Sequence, residues 1–400
     1  MSRLRVAHLI TQLELGGAQE NTLYTVQHLD RARFEPILVA GPGGQLDERA
    51  RALGDVPFHS MASLARPVRP HRDLAALAQL ARLLRRLRPH LVHTHSSKAG
   101  ILGRWAAVLA GVPLRVHSVH GFGFHAAGRS PMRRALIAAE RLTAPITTHW
   151  IVVSQANLQQ GTKLGLLNPQ RTTLIRSGIE LGRFRAAAGS GGRLRRELGL
   201  EPQQPLVVAI ACFKPQKAPV DLVEVAARVA RQAPEARFAL AGDGELRGAI
   251  EAAIRRNRLQ GRFHLLGWRQ DVPVLLAAAD LLLHTARWEG LPRVIPEAMA
   301  AGRPVVAGDA DGIREVVAEG ITGYLRPAGD LDGLAGRVLD LLADPGLRAR
   351  MGGEGRRRTG EFDIQDMVRR QEALYDRLAG LAGGARVPAH GGAASSCKTA

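Results

Sequence analysis

Cysteine is almost missing from this 400-residue sequence: Cys212 and Cys397 are the only two, and the second lies in a Gly/Ala/Ser-rich stretch. Such a pair supplies neither a disulfide framework nor a zinc-ligand spacing, so redox and metal-centred functions lose their usual support. Aromatic residues reach only 4%, and no helix-turn-helix, RRM or zinc pattern accompanies them, which argues against a nucleic-acid partner. Long apolar runs are missing too. The nearest candidate, Val272 to Ala286, is broken by Asp280 and His284 and falls short of the ~18 residues that would cross a bilayer. The opening MSRLRVAHLITQLELGG has the short apolar run of a buried strand and no small-residue cleavage site after a long apolar stretch, so the expected compartment is the cytoplasm. Lysine is scarce where arginine is plentiful: residues 186–400 hold only Lys214, Lys217 and Lys398.

What is present is the material of a globular protein: 46% hydrophobic residues, with 44 Gly and 22 Pro. At ~150 residues per domain the length suggests two large domains, or three. The formal charge of +19 is unevenly spread, with 25 Lys/Arg against 10 Asp/Glu in residues 1–185 and 30 against 26 in residues 186–400. A basic first half points to a nucleic acid, an anionic membrane surface or an acidic substrate, although an arginine-rich composition also follows from a GC-rich genome.

Short apolar runs alternate with helical patterns. Leu4 to Ile10, Phe34 to Ala40, Leu91 to Thr94, Arg115 to Val119 and Ile151 to Ser154 read as buried strands, and the grammar restarts with Leu206 to Ala211, Arg237 to Ala241, Phe263 to Leu266, Asp280 to His284 and Pro304 to Ala307. This βαβ order predicts an α/β protein of two doubly wound parallel-sheet domains. The connector AAAGSGGRLRRELGLEPQQP divides residues 1–190 from 191–360, one doubly wound domain each. Residues 361–380 are expected as a helix able to return to the first domain, and 381–400 as a disordered tail.

Ligands of open parallel sheets bind beyond the carboxyl ends of the strands, so the loops after strands are the candidate sites. After the first strand, Gly16 and Gly17 precede a helix and let its N–H groups approach an anion. CFKPQKAP places Lys214 and Lys217 in one strand-to-helix loop, suited to a diphosphate. Gly242-Asp243-Gly244 forms a tight turn that misses the dinucleotide fingerprint. In WEGLPRVIPEAMAAGRPVV, Glu289 falls in a loop and Glu297 near the first turn of a helix. Pro292 suits a first helical position, but Pro296 would then lose a hydrogen bond, so a late or irregular helix start is expected.

These residues carry a resemblance. E-G-L-P-x-x-x-x-E-A-M-A-x-G-x-P-V-V resembles the glutamate motif of retaining GT-B glycosyltransferases, specifically glycosyltransferase family 4. Gly16-Gly17, His120-Gly121, Ser154, the Lys217 loop, Gly242-Asp243-Gly244 and Gly312 to Glu315 follow in the family's order, through about residues 4 to 375. HTHSSKAGILGR, VHGFGFH and ACFKPQKAP look like the branch that builds bacterial envelope glycans and exopolysaccharide. The resemblance implies two Rossmann-like domains facing across a cleft, and transfer from a nucleotide-diphosphate sugar to a lipid-linked or glycan acceptor with retention and without a metal or other cofactor. It implies that Lys217 holds the diphosphate, Glu297 the ribose diol and Glu289 the sugar hydroxyls. Gly17 and the backbone of Gly290, Leu291 and Pro292 would close on phosphate and sugar, and His120 would lie beside the reacting carbon. The sequence departs from the pattern at Cys212, where many members have Arg and Lys214 is a candidate substitute, at Ser177-Gly178 for Asn-Gly, and at Thr285-Ala286 for Pro-Ser.

Rival readings remain at this point. Two glutamates suit a glycosidase, whose carboxylates stand ~5 to 9 Å apart, but the phosphate loops argue against hydrolysis. A sugar-nucleotide epimerase shares the architecture. Asp309-Ala310-Asp311 spells D-x-D, and His93, His95, His117, His120 and His125 invite a metal reading, for which no acidic or Cys partner is evident; no metal is expected. Leu74 to Leu87 and Pro131 to Leu142 combine apolar faces with arginines, as helices lying on the inner face of the plasma membrane do, or as helices covering a sheet do.

Overall fold

The computed structural model describes residues 3–65, 67–123 and 131–384. Among the described residues thirteen strands run β1 (Leu4–Gln12), β2 (Phe34–Gly41), β3 (Phe58–Ser60), β4 (Leu91–His95), β5 (Leu114–Val119), β6 (His149–Val152), β7 (Thr172–Leu174), β8 (Leu206–Ile210), β9 (Arg237–Ala241), β10 (Phe263–Gly267), β11 (Leu281–His284), β12 (Val305–Asp309) and β13 (Gly323–Pro327). They form a seven-stranded sheet in the order β3-β2-β1-β4-β5-β6-β7 and a six-stranded sheet in the order β10-β9-β8-β11-β12-β13. Every strand pairing is parallel. Strand order therefore reverses between β1 and β4 and again between β8 and β11, the two places where such sheets open a ligand crevice.

Central strands are buried on both faces because helices cover both sides, and their sequences are correspondingly apolar. Val6, Ala7, Leu9 and Ile10 of β1 are fully buried, as are Leu281, Leu282 and Leu283 of β11. Three edge strands escaped the sequence reading. Residues Phe58, His59 and Ser60 of β3, and Thr172, Thr173 and Leu174 of β7, are at least partly exposed, and β13 ends in proline, so none shows a buried apolar run. The strand expected at Ile151 to Ser154 begins two residues earlier, at the buried His149, and ends at Val152; Ser154 instead caps the helix Gln155–Lys163 by accepting from Asn157 N–H.

The chain crosses between the sheets twice. Leu181 and Phe184 already pack with Leu276, Ile295 and Met299 of the second half, and the expected connector contains the helix Gly192–Glu197, with Leu194 fully buried. The helix Ile364–Gly384 then returns: Val368, Leu374, Tyr375 and Leu378 complete the core around Val6, Phe34 and Leu91. It runs to Gly384, four residues into the stretch expected as a tail, with Leu381 exposed; residues 385–400 lie outside the described residues, as does His125.

Candidate active site

The loops after β8 and β11, at the second switch point, carry the strongest charge pair. Lys217 Nζ pairs directly with Glu289 Oε1, His284 Nε2 shares a hydrogen bond with the same oxygen at 3.2 Å, and Gln216 Nε2 donates to Glu289 Oε2 at 3.4 Å. Glu289 is 7% exposed. Burial opposes its ionisation, but the Lys217 ammonium and the contact with His284 outweigh burial and hold the carboxyl at about 2. Its backbone N–H donates to Asp311 Oδ2 at 3.0 Å, from a residue in the left-handed region at φ +40°. Asp309, by contrast, pairs with Arg314 at 2.9 Å. The two carboxylates of the D-x-D thus serve separate partners.

The departures from the family pattern tie these loops together. Thr285 Oγ1 donates to Lys217 O at 3.0 Å and Ala218 O at 3.1 Å, while Arg287 donates from its backbone to Gln216 O and from its side chain to Asp221. Lys214 reaches across the cleft to Glu14 Oε2 at 3.5 Å, and Cys212 is a free thiol in the same loop. At Gly242, φ +135° and a would-be Cβ 1.9 Å from Ala211 O admit no side chain, so the turn after β9 packs flat on the β8 loop.

Pro296 finds a simple explanation. The helix is Val294–Ala300, following Arg293, so the proline is its third residue, where the N–H has no intrahelical acceptor in any case. Glu297 N–H makes the first bond back over four residues, to Arg293 O at 3.0 Å. Its carboxylate stands 3.5 Å from Arg293 Nη2. Burial pushes the Glu297 carboxyl up, with Arg293 opposing. Leu291 is buried in the same core cluster as Ile295.

From the first half, His120 follows β5 and meets the Glu289 loop. A Cβ on Gly290 would stand 1.9 Å from His120 O, so only glycine lets the halves touch there. Gly17 sits against the Arg293 side chain, and the helix Gly17–His28 that follows Gly16 has no side-chain cap, leaving its first N–H groups available. A cleft of about 910 Å³ is lined by His120, Lys214, Gln216, Glu289, Gly290 and Asp311, with further walls from both halves. Lys217, Glu297, Gly16, Gly17, Gly242, Leu291 and Pro292 are not among its lining residues; Lys217 reaches it through its pair with Glu289. Sequence reasoning missed His284, Gln216, Glu14, Arg293 and His8. His284 had a signal, as a polar residue closing an apolar strand five positions before Glu289.

The family model for glycosyl transferases group 1 matches residues 192–358, and that for Glycosyltransferase Family 4 matches residues 15–183. The alpha-maltose-1-phosphate synthase of Mycobacterium tuberculosis is 31% identical over 298 residues, spanning 67% of this chain and 73% of its own. The chain belongs to glycosyltransferase family 4. This glycosyltransferase is also 29% identical over 381 residues to the UDP-Gal:alpha-D-GlcNAc-diphosphoundecaprenol alpha-1,3-galactosyltransferase of Escherichia coli, spanning 94% of this chain and 97% of that one. Its fold is that of Anabaena HepE, whose crystal structure in complex with UDP-glucose superposes with a TM-score of 0.81 at 23% identity, over 94% of this chain and 100% of HepE. The architecture of the glycosyltransferase is therefore GT-B, and the family models and relatives make its reaction class glycosyl transfer.

Proposed function

We propose that this glycosyltransferase moves a sugar from a nucleoside diphosphate to a lipid-linked or glycan acceptor, with retention of anomeric configuration and without a metal. The observation that carries the reading is the ionised, buried Glu289, paired with Lys217, in the cleft that His120 also lines. Without donor, Lys217 and Glu289 satisfy one another. A diphosphate would draw Lys217 and Lys214 toward its own charge, and sugar hydroxyls would replace the donors that Glu289 loses. Glu297, desolvated and with Arg293 only at 3.5 Å, suits the two O–H donors of a ribose diol. The sugar C1–O bond to the diphosphate breaks, the acceptor oxygen bonds to C1 on the same face, and the acceptor proton passes to the departing phosphate oxygen. Lysine charge stabilises that leaving group in place of a metal.

The lipid-linked acceptor draws support from the relative that acts on an undecaprenol diphosphate sugar and from the surface of the first half. Val68, Leu74, Trp105, Leu109, Met132 and Leu142 are large apolar residues left exposed there. Arg72, Arg85, Arg86 and Arg134 are exposed on the same group of helices, Pro70–Leu87 and Pro131–Thr143. The main apolar face of Pro70–Leu87 is spent on the core, through Leu80 and Leu84. What remains outside suits shallow contact with anionic lipid on the cytoplasmic side, and not a nucleic acid. Among the described residues no helix is long and apolar enough to cross a membrane.

A thermal-shift screen of UDP-, GDP- and ADP-sugars tests the donor: a ligand at ~100 times its Kd adds about 2.7 kcal/mol to apparent stability. No shift with any of them would sink the donor assignment. Flotation with anionic liposomes tests the surface, and binding that is absent even at low salt would return these arginines to solvent.

A further inference from the structure

Behind His120 the first sheet holds a row of imidazoles. His8 of β1 and His93 of β4 are register partners, and His95 lies two residues on, on the same face. His8 Nδ1 and His95 Nε2 share a hydrogen bond at 3.2 Å, and His95 Nδ1 and His120 Nε2 share another at 3.2 Å. His8, His93 and His95 each bring a nitrogen within 4.8 Å of the others, which resembles a metal site. Yet His93 uses both nitrogens on Tyr375 Oη, at 2.6 Å, and Ser118 Oγ, at 2.7 Å, and a row of paired imidazoles accounts for the rest.

A neutral imidazole has one N–H and one lone pair. Burial keeps all three rings of the row neutral, so its two hydrogen bonds must run in one direction. In one state every ring is protonated at Nδ1, the row ends in a bare lone pair on His8 Nε2, and His120 offers Nδ1–H. In the other every ring is protonated at Nε2, and His8 Nε2–H is left pointing at nothing. His8 Nε2 and His120 Nδ1 are the two buried ring nitrogens of the row without a partner. They are not equivalent. His8 is fully buried and lines neither cavity, whereas His120 lines both the cleft and a space of about 10 Å³ beside Thr22, Thr25 and Ser118, room for about one water. An unpaired buried N–H is the costlier defect and the rarer one.

We infer that His95, backed by His8, is a positioning residue that locks His120 in its Nδ1–H tautomer, so that His120 meets whatever enters beside it as a hydrogen-bond donor. The inference rests on the transferase site proposed above for its consequence, but not for its existence. Mutation of His95 then acts on catalysis through His120 without touching the donor.

The test begins with the unmutated, ligand-free protein. In histidine 15N NMR, His120 Nδ1 should carry the proton and Nε2 should show the shift of a bare nitrogen; an Nε2–H tautomer overturns the proposal. In His95→Leu that preference should disappear and kcat should fall about tenfold with donor KM within about twofold. His95→Asn, whose amide N–H sits near the lost Nδ1, should restore most of both. An unchanged His120 tautomer in His95→Leu overturns the proposal, and failure of that variant to fold leaves the wild-type spectrum decisive. Adding the nucleotide sugar is a separate arm: an Nδ1–H row whose His120 resonance ignores the donor contradicts the site assignment while the row itself stands.

Discussion

The two halves of this enzyme share one order over their first six strands and present opposite chemistry to the cleft. At the carboxyl ends of the first sheet stand neutral, buried histidines, His95 and His120 among them; at those of the second stand carboxylate–cation pairs, Glu289 with Lys217 and Glu297 with Arg293. The first half nevertheless carries most of the net positive charge. Among the described residues none of its arginines lines the cleft, so net charge and site charge are independent properties. The topology supplies the place, and the residues in the loops decide whether that place handles anions or neutral hydroxyls.

The comparison breaks most sharply at Glu289. Glu289→Gln keeps the shape and removes the charge; kcat should fall ~10²- to 10³-fold, with circular dichroism showing the fold intact, and near-normal turnover would remove its assigned role. Acid should next separate the halves. His8, His120 and His149 are lowered from 6.5 to about 3, 4 and 4 by burial, so the unfolded chain takes their protons first. Their stabilisation is complete above pH 6.5 and is lost as pH falls toward about 4, at about 1.4 kcal/mol per pH unit each. Glu289, lowered from 4.5 to about 2, contributes in full above 4.5 and loses that contribution only below it. Hydrogen exchange read by peptide should therefore show the first sheet loosening at higher pH than the second.

Gly290→Ala pushes a methyl into His120 O and tests the contact itself: about 1 to 3 kcal/mol of strain is expected, relieved by a more open cleft in small-angle scattering. The smallest effect belongs to Glu315. Its two oxygens accept from the backbone N–H groups of Gln155 and Ala156, at 3.0 and 2.8 Å, and from Arg176 at 2.9 Å, so a residue of the second half caps a helix of the first. Glu315→Ala should cost about 1 kcal/mol in urea unfolding.

Much of this was legible in advance. Interior strands announced themselves because burial on both faces demands unbroken apolar runs, and the loops after them were chosen by topology. Short edge strands such as β3 and β7 carry no such demand. Glu289, Lys217 and His120 were readable from motif order, and the structure brings all three around one cleft. What stayed hidden were partnerships between distant residues. His8 sits alone in the run AHLI and reads as core until β4 lays His93 beside it in register. Glu14 with Lys214, and Glu315 with the start of a helix 160 residues earlier, leave no local periodicity to detect. Pro296 pointed to a late helix start, and the helix begins at Val294, two residues past Pro292.

The returning helix Ile364–Gly384 has a consequence for synthesis. Tyr375 is fully buried against the first sheet, and Leu374 and Leu378 seal the core around Val6 and Phe34. A nascent first half leaving the ribosome therefore has an uncovered sheet until the whole second half has emerged. Its native packing is a contact across more than three hundred residues, the kind that forms late. A chaperone is the natural tenant of that bare face in the interval, and a shortened chain ending before Ile364 should aggregate even though every residue of its sheet is present.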